Sequence, residues 1–196
     1  MGPRPDGAAL WRERTRPHVN KATVVPSLVL SMLAEPAVAA RSLSSSDIAP
    51  GESIPVLHIY PRCGGRNVSP QLSWGGAPSA TKSFVLTVID VDVKPSLWSH
   101  WIVVDLPASA SSLAQGAKTL PGGAKSIASN FGDAAYAGPC PPKGTGLHHY
   151  QFTIWALPTA ELSLAPGEKA ASVVALLARQ ALDHASLTAV VQAPPG

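Results

Sequence analysis

Gly138-Pro139-Cys140-Pro141-Pro142-Lys143-Gly144-Thr145-Gly146-Leu147-His148-His149-Tyr150 is a Pro/Gly-stiffened loop that runs directly into Tyr150-Gln151-Phe152-Thr153-Ile154-Trp155-Ala156-Leu157, an aromatic and β-branched run closed by Pro158. That composition predicts a strand. Side chains on a strand alternate, so His148 and Tyr150 share one face and His149 takes the other. A preset loop thus delivers titratable and hydroxyl groups to one spot.

A second polar cluster lies upstream in Asp90-Val91-Asp92-Val93-Lys94-Pro95-Ser96-Leu97-Trp98-Ser99-His100-Trp101, between strand-like runs at Ser83 to Ile89 and Trp101 to Leu106. If the chain stays extended through Asp92, period two puts the Asp90 and Asp92 carboxylates on one face. His100 opens the return strand, so a hairpin-like connection brings two Asp and one His within reach of each other. Where the flanking strands are neighbours in a sheet, the two clusters form the mouth of one pocket.

The surrounding sequence reads as scaffold. Phe84, Leu86 and Val88 alternate with Val85, Thr87 and Ile89, so both faces of that run are largely apolar, as in a central strand covered on both sides. Near the C-terminus, Val173, Leu176, Leu177 and Ala181 recur at helical spacing within Glu168 to His184, after Pro166-Gly167. Ser186 to Gln192 reads as a last strand, and Pro194-Pro195-Gly196 as a frayed end. With 20 Pro and 16 Gly spread among short apolar runs in 196 residues, many turns and hence a mostly β domain are expected.

Charge argues against a nucleic-acid partner. The formal net charge is +3, but residues 1–39 hold five basic groups (Arg4, Arg12, Arg14, Arg16, Lys21) against three acidic ones (Asp6, Glu13, Glu35). The rest of the chain is close to neutral, with no basic run to grip a phosphate backbone. The basic leader, residues 1–40, reads as an irregular export signal. An apolar stretch from Val24 to Ala34 is too short to span a bilayer, and Ala37-Val38-Ala39 fits a small-x-small cleavage pattern. A periplasmic or secreted location is expected from it; the alternative is a cytoplasmic protein with an N-terminal extension.

Taken in order, Asp-x-Asp, Trp-x-His-Trp, Gly-Pro-Cys-Pro-Pro-Lys-Gly and His-x-Tyr resemble the phosphatidylethanolamine-binding protein family, in its bacterial Raf-kinase-inhibitor-like branch. Cys63-Gly64-Gly65-Arg66-Asn67-Val68-Ser69-Pro70-Gln71-Leu72-Ser73-Trp74, Asn130-Phe131-Gly132 and Ala185-Ser186-Leu187-Thr188-Ala189 fall in the family's order too. The resemblance implies one domain over residues 41–196: two antiparallel sheets in a Greek-key-like sandwich with a few peripheral helices, one near the C-terminus. Carried over position by position, the family's ligand pocket falls on Asp90, Asp92, Trp98, His100, Gly138, Pro141, His148 and Tyr150. The ligand it implies is a small phosphate-type anion or phosphoethanolamine-like headgroup, with the imidazoles and the phenol as donors and Asp behind His. Backbone N–H groups of Gly144-Thr145-Gly146 are expected to help.

Several expectations accompany that reading. Neither cofactor nor metal is expected, although two Asp and two His would make a plausible zinc or manganese set. No catalytic residue is assigned, because Ser99 and His100 point to opposite faces and no nucleophile elbow occurs. A protein-interaction regulator, such as a kinase or protease inhibitor, is the alternative function, and a hydrolase the third. A protein partner, a homodimer and peripheral contact with phospholipid headgroups stay open. Cys63 and Cys140 lie beside motifs that the family places around one pocket; they either pair or stay as packed free thiols. The family's Asp-Pro-Asp-Ala-Pro is Asp90-Val91-Asp92-Val93-Lys94 here, with Pro95 one position later, so Lys94 either projects towards the mouth or points into solvent.

Overall fold

The computed structural model describes residues 41–165 and 167–196; the leader expected over residues 1–40, with its apolar stretch and Ala37-Val38-Ala39, lies outside the described residues. The element order is β1 (Ser42–Ser44), β2 (Leu72–Gly75), β3 (Ser83–Asp90), β4 (Trp98–Pro107), β5 (Ser112–Leu113), β6 (Lys125–Ile127), β7 (Leu147–Leu157), α1 (Ala170–Gln180) and β8 (Asp183–Gln192). Single 3-10 turns occupy Val56–His58, Pro61–Cys63 and Pro121–Gly123. The chain is mostly β, in two antiparallel sheets ordered β1-β2-β5 and β6-β4-β3-β7-β8, with one C-terminal helix among the described residues.

β3 occupies the centre of the larger sheet, and every one of its residues is buried, as its two apolar faces require. Its alternate residues feed two cores. Phe84, Leu86 and Val88 join Trp101, Val103, Phe152 and Ile154 with Leu43, Leu72, Trp74 and Leu113, which ties the two sheets together. Val85 looks the other way, into a cluster with Ile102, Val104, Leu157, Val173 and Leu177 under α1. Val173 and Leu177 have no exposed surface, so each contributes roughly 1.5–3 kcal/mol of apolar burial. The helix has no side-chain N-cap and no acid in its first turn; packing of this stripe, not capping, holds it.

The helix spans only Ala170–Gln180 of the expected Glu168 to His184, leaving Ala181 outside it, and two strand boundaries also differ from the sequence reading. The return strand begins at Trp98, and the last strand at Asp183. Both are extended by pairing with β3 and β7, which composition alone does not report. Nor is the C-terminus frayed: the Pro194 carbonyl accepts the Gly144 N–H at 2.9 Å, and the Ala193 N–H donates to the Gly146 carbonyl at 2.8 Å. The final residues therefore fasten the loop ahead of His148.

Candidate functional site

β3 pairs with β4 on one side and β7 on the other, which brings the two polar clusters to one end of the sheet. Asp90 lies opposite both Trp98 and Tyr150. Asp90, His148 and Tyr150 share the face that carries the inter-sheet core. His100 reaches that face by a different device. Val88 pairs with Trp101 but Ile89 pairs with Ser99, so β4 carries one extra residue over this interval, His100 itself. Such a bulge breaks strict alternation and re-aims the side chain. The His100 ring accordingly lies 5.1 Å from the Tyr150 ring, edge to face.

The most buried polar contact at this end joins His148 Nδ1 to Asp90 Oδ2 at 2.7 Å. The second imidazole nitrogen, Nε2, meets the Thr145 hydroxyl at 2.8 Å, and that hydroxyl also lies 2.7 Å from the Pro142 carbonyl. Thr145 has one hydroxyl proton and two acceptors in reach. When it donates to Pro142, its oxygen is left to accept a hydrogen bond from Nε2. When it donates to His148, the Pro142 carbonyl loses its partner.

His100 is held differently. Its Nδ1 meets the Ala137 carbonyl at 2.8 Å, and since a carbonyl only accepts, Nδ1 carries the proton. Burial pushes the His100 pKa below the ordinary histidine value, against the opposing pull of the Ala137 carbonyl and Asp90. The neutral ring then leaves Nε2 as an acceptor. The Ala137 carbonyl is positioned by Asn67, which accepts the Gly138 N–H at 2.7 Å and donates to the Tyr136 carbonyl at 3.1 Å. Phe131 sits against His100 at 5.1 Å, with Trp98 at 5.9 Å and Tyr60 at 5.2 Å from Phe131. These aromatic rings form the rim, with Trp98 exposed.

Tyr150 has no exposed surface, and its hydroxyl has no hydrogen-bond partner among the described residues. Burial, then the Asp90 charge and the approach of the Asp90 carboxylate to the hydroxyl short of a well-formed hydrogen bond, raises its pKa, so the phenol stays protonated and able to donate. Asp90 and His100 are each 3% exposed and His148 4%. Only edges of these groups are within reach of a guest.

Three expectations about this region change. Asp90 and Asp92 do not share a face, because β3 ends at Asp90 and the chain bends from Val91 onward. Asp92 instead accepts the His149 N–H at 2.6 Å and its ring Nδ1 at 2.9 Å, on the exposed side of β7. Partial burial would raise the Asp92 pKa, but the two hydrogen bonds from His149 outweigh it and leave the carboxyl below its ordinary value. The Gly144 N–H is taken by Pro194 and the Thr145 N–H by the Pro142 carbonyl at 3.3 Å, so neither is free for a ligand. Gly138 likewise spends its N–H on Asn67; a glycine is needed there because a Cβ would overlap the His58 carbonyl. Of the two alternatives for Lys94 the solvent-exposed one holds, with the side chain folded back towards the Val91 carbonyl at 3.4 Å, and its peptide bond to Pro95 is cis.

Cys63 and Cys140 are joined as a disulfide, with Cα atoms 5.5 Å apart. The bond ties the Pro61–Cys63 turn to the loop carrying Gly138 and Pro141; Pro141 is buried and, with Cys63 and Ile59, lines a neighbouring cavity of about 210 Å³. The Thr145 side chain, Asn67, Tyr60 and Phe131 are not among the expected site groups. The signal for the last was its place in Asn130-Phe131-Gly132; nothing in the sequence marks the Thr145 side chain.

A two-sheet β domain with buried Asp, His and Tyr at one sheet end defines the class. The sequence pattern described as phosphatidylethanolamine-binding protein matches residues 44–192. YbcL of Escherichia coli (strain K12) is 37% identical over 179 residues, covering 87% of this chain and 98% of YbcL. A Mycobacterium tuberculosis protein named "Putative lipoprotein LppC" is 38% identical over 173 residues, covering 88% of this chain and 81% of that protein. The YbcL crystal structure superposes with a TM-score of 0.72 over 76% of this chain and 96% of YbcL. The CT736 homologue from Chlamydia trachomatis gives 0.64 at 32% identity, over 78% and 97%. The chain belongs to the phosphatidylethanolamine-binding protein family.

Proposed function

We propose that the protein binds one small oxyanion, inorganic phosphate or the phosphate of a headgroup, at Tyr150, His148 and, once its ring has taken up a proton, His100, and does not turn it over. The observation that carries this reading is the Tyr150 hydroxyl. A buried donor left unmade costs roughly 1–3 kcal/mol, and a ligand oxygen would recover that. Asp90 serves behind His148, fixing its ring through Nδ1 and directing Nε2 outward. Rotation of the exposed Thr145 side chain frees Nε2 for the guest. Because only edges of Asp90, His100 and His148 are reachable, the site suits a phosphate group and leaves any longer substituent outside, against the rim of Trp98 and Phe131. The leader's signal-like pattern, together with the name of LppC, supports a place in the cell envelope.

Calorimetric titration with inorganic phosphate and with O-phosphoethanolamine tests the reading. Tyr150→Phe is expected to weaken binding about tenfold or more, as for a lost hydrogen bond to a charged group, while leaving stability unchanged or higher because the unmade donor is gone. Heat from neither anion would sink it.

A second reading rests on Asp90, His148 and Thr145 in series, the arrangement that activates a hydroxyl nucleophile. Two features weaken it: Thr145 also faces the Pro142 carbonyl, and the neighbouring N–H groups that would stabilise an oxyanion are occupied. Turnover of p-nitrophenyl acetate that vanishes in Thr145→Val would establish it.

A further inference from the structure

The residue before Ala137 opens onto a second space. Tyr136 and Trp101, packed edge to face at 5.6 Å, line a cavity of about 780 Å³ that Asp90, His100, His148 and Tyr150 do not border. That volume falls in the ~300–1,000 Å³ range of small-molecule sites. No Asp or Glu lines it, whereas Arg66 and Lys118 do, and neither cation makes an ion pair among the described residues. Ser69, only 4% exposed, lines the same wall. Ser126 adds a hydroxyl oxygen, which already accepts the Trp101 indole N–H at 3.0 Å.

Cations without counter-ions, serine hydroxyls in the wall and two aromatic side chains make one chemical demand. We infer that this cavity is a second ligand site, for a small organic anion carrying an apolar ring. Arg66 and Lys118 meet the anionic group, Ser69 donates to one of its oxygens, and the ring lies towards Trp101 and Tyr136. Arg66 presents a planar fork suited to a carboxylate or phosphate. The site is separate from the cluster at His148, since neither Ala137, which holds His100, nor any of Asp90, His100, His148 and Tyr150 lines it.

The test uses the full chain and three probes: 2-naphthoate, 2-naphthyl phosphate and the neutral 2-naphthalenemethanol. Two-dimensional NMR follows the indole N–H resonances, with that of Trp101 assigned from Trp101→Phe. Both anions are expected to move the Trp101 resonance, and the neutral alcohol to bind at least tenfold more weakly. The two anions compared tell a carboxylate site from a phosphate-ester site. Arg66→Gln/Lys118→Gln, at exposed positions, should keep the melting temperature and lose affinity for both anions at least tenfold; Ser69→Ala should lose about threefold or more. Equal binding of the neutral probe, an unchanged affinity in the double variant, movement confined to Trp98 at the other pocket, or no binding of any probe at millimolar concentration would each overturn the assignment. The neutral-probe comparison decides the matter even if a variant fails to fold.

Discussion

Two Asp–His pairs flank the start of β7, and they differ in one physical variable. His148 and Asp90 meet at 2.7 Å with side chains 6% and 4% exposed; His149 and Asp92 meet at 2.9 Å with side chains 44% and 38% exposed. Removing one member of a buried pair strands its partner, at about 3–5 kcal/mol, whereas an exposed pair is worth about 0.2–1 kcal/mol. Alanine cycles at both pairs isolate the couplings. His148→Ala and Asp90→Ala should each cost about 3–5 kcal/mol, and the double variant at least about 2 kcal/mol less than their sum, because no stranded charge remains. At roughly 2–4 °C per kcal/mol for a domain of this size, each single change lowers the melting temperature by about 6–20 °C. The His149/Asp92 cycle should couple by no more than about 1 kcal/mol, since Asp92 keeps the backbone N–H of residue 149 in His149→Ala. Urea unfolding of the oxidised protein at pH 7.5, followed by tryptophan fluorescence, measures all four corners. Equal couplings at the two pairs, or additivity at the buried one, would refute the claim that Asp90 is a structural anchor for His148.

Further outcomes follow from the same geometry. Because burial lowers the His100 pKa, the folded state resists a proton that the unfolded chain accepts near 6.5. Stability present above that value is lost as pH falls below it, by at most about 1.4 kcal/mol per pH unit for one proton, and His100→Asn should flatten the slope of urea midpoints between pH 8 and 5. If an oxyanion recruits a proton to His100, calorimetry in two buffers of different ionisation enthalpy should show proton uptake on phosphate binding, with affinity rising as pH falls; identical heats would count against His100 as a donor. Gly138→Ala forces a methyl into the His58 carbonyl and should cost about 1–3 kcal/mol or more, read as a lowered urea midpoint. The Cys63–Cys140 bond spans a sequence separation of 77, so Cys63→Ser/Cys140→Ser should lose about 2–4 kcal/mol; an unchanged midpoint would show that the link adds nothing to stability.

The parts of this molecule legible in sequence are those that a local rule governs. β3 announced itself because both alternating sets are apolar, and α1 because Val173 and Leu177 recur at helical spacing. The convergence of His148 with Asp90 followed from motif order plus a sheet in which their strands are neighbours. What stayed hidden depends on partners distant in sequence. The Gly144 N–H could not be seen as occupied without Pro194 beside it, nor could the strict need for Gly138 without the His58 carbonyl across the fold. Asp92 was misplaced because period two was carried one step past the last residue that β4 and β7 hold extended.

His100 is the most instructive case. Trp101 joins the inter-sheet core, and unbroken alternation would send its predecessor to the other face, where Ile102 and Val104 meet α1. An imidazole there would face away from Asp90 and Tyr150, on the side where Ser99 meets Asn130. The extra residue in β4 removes that conflict: Trp101 keeps its core position, and His100 turns to Ala137, Tyr150 and the Asp90 end of the sheet. The clustering of Asp90, His100, His148 and Tyr150 therefore rests on a one-residue mismatch between two strands as much as on the side chains themselves. A chain with the same polar residues but an even register between β3 and β4 would keep the core and lose the site.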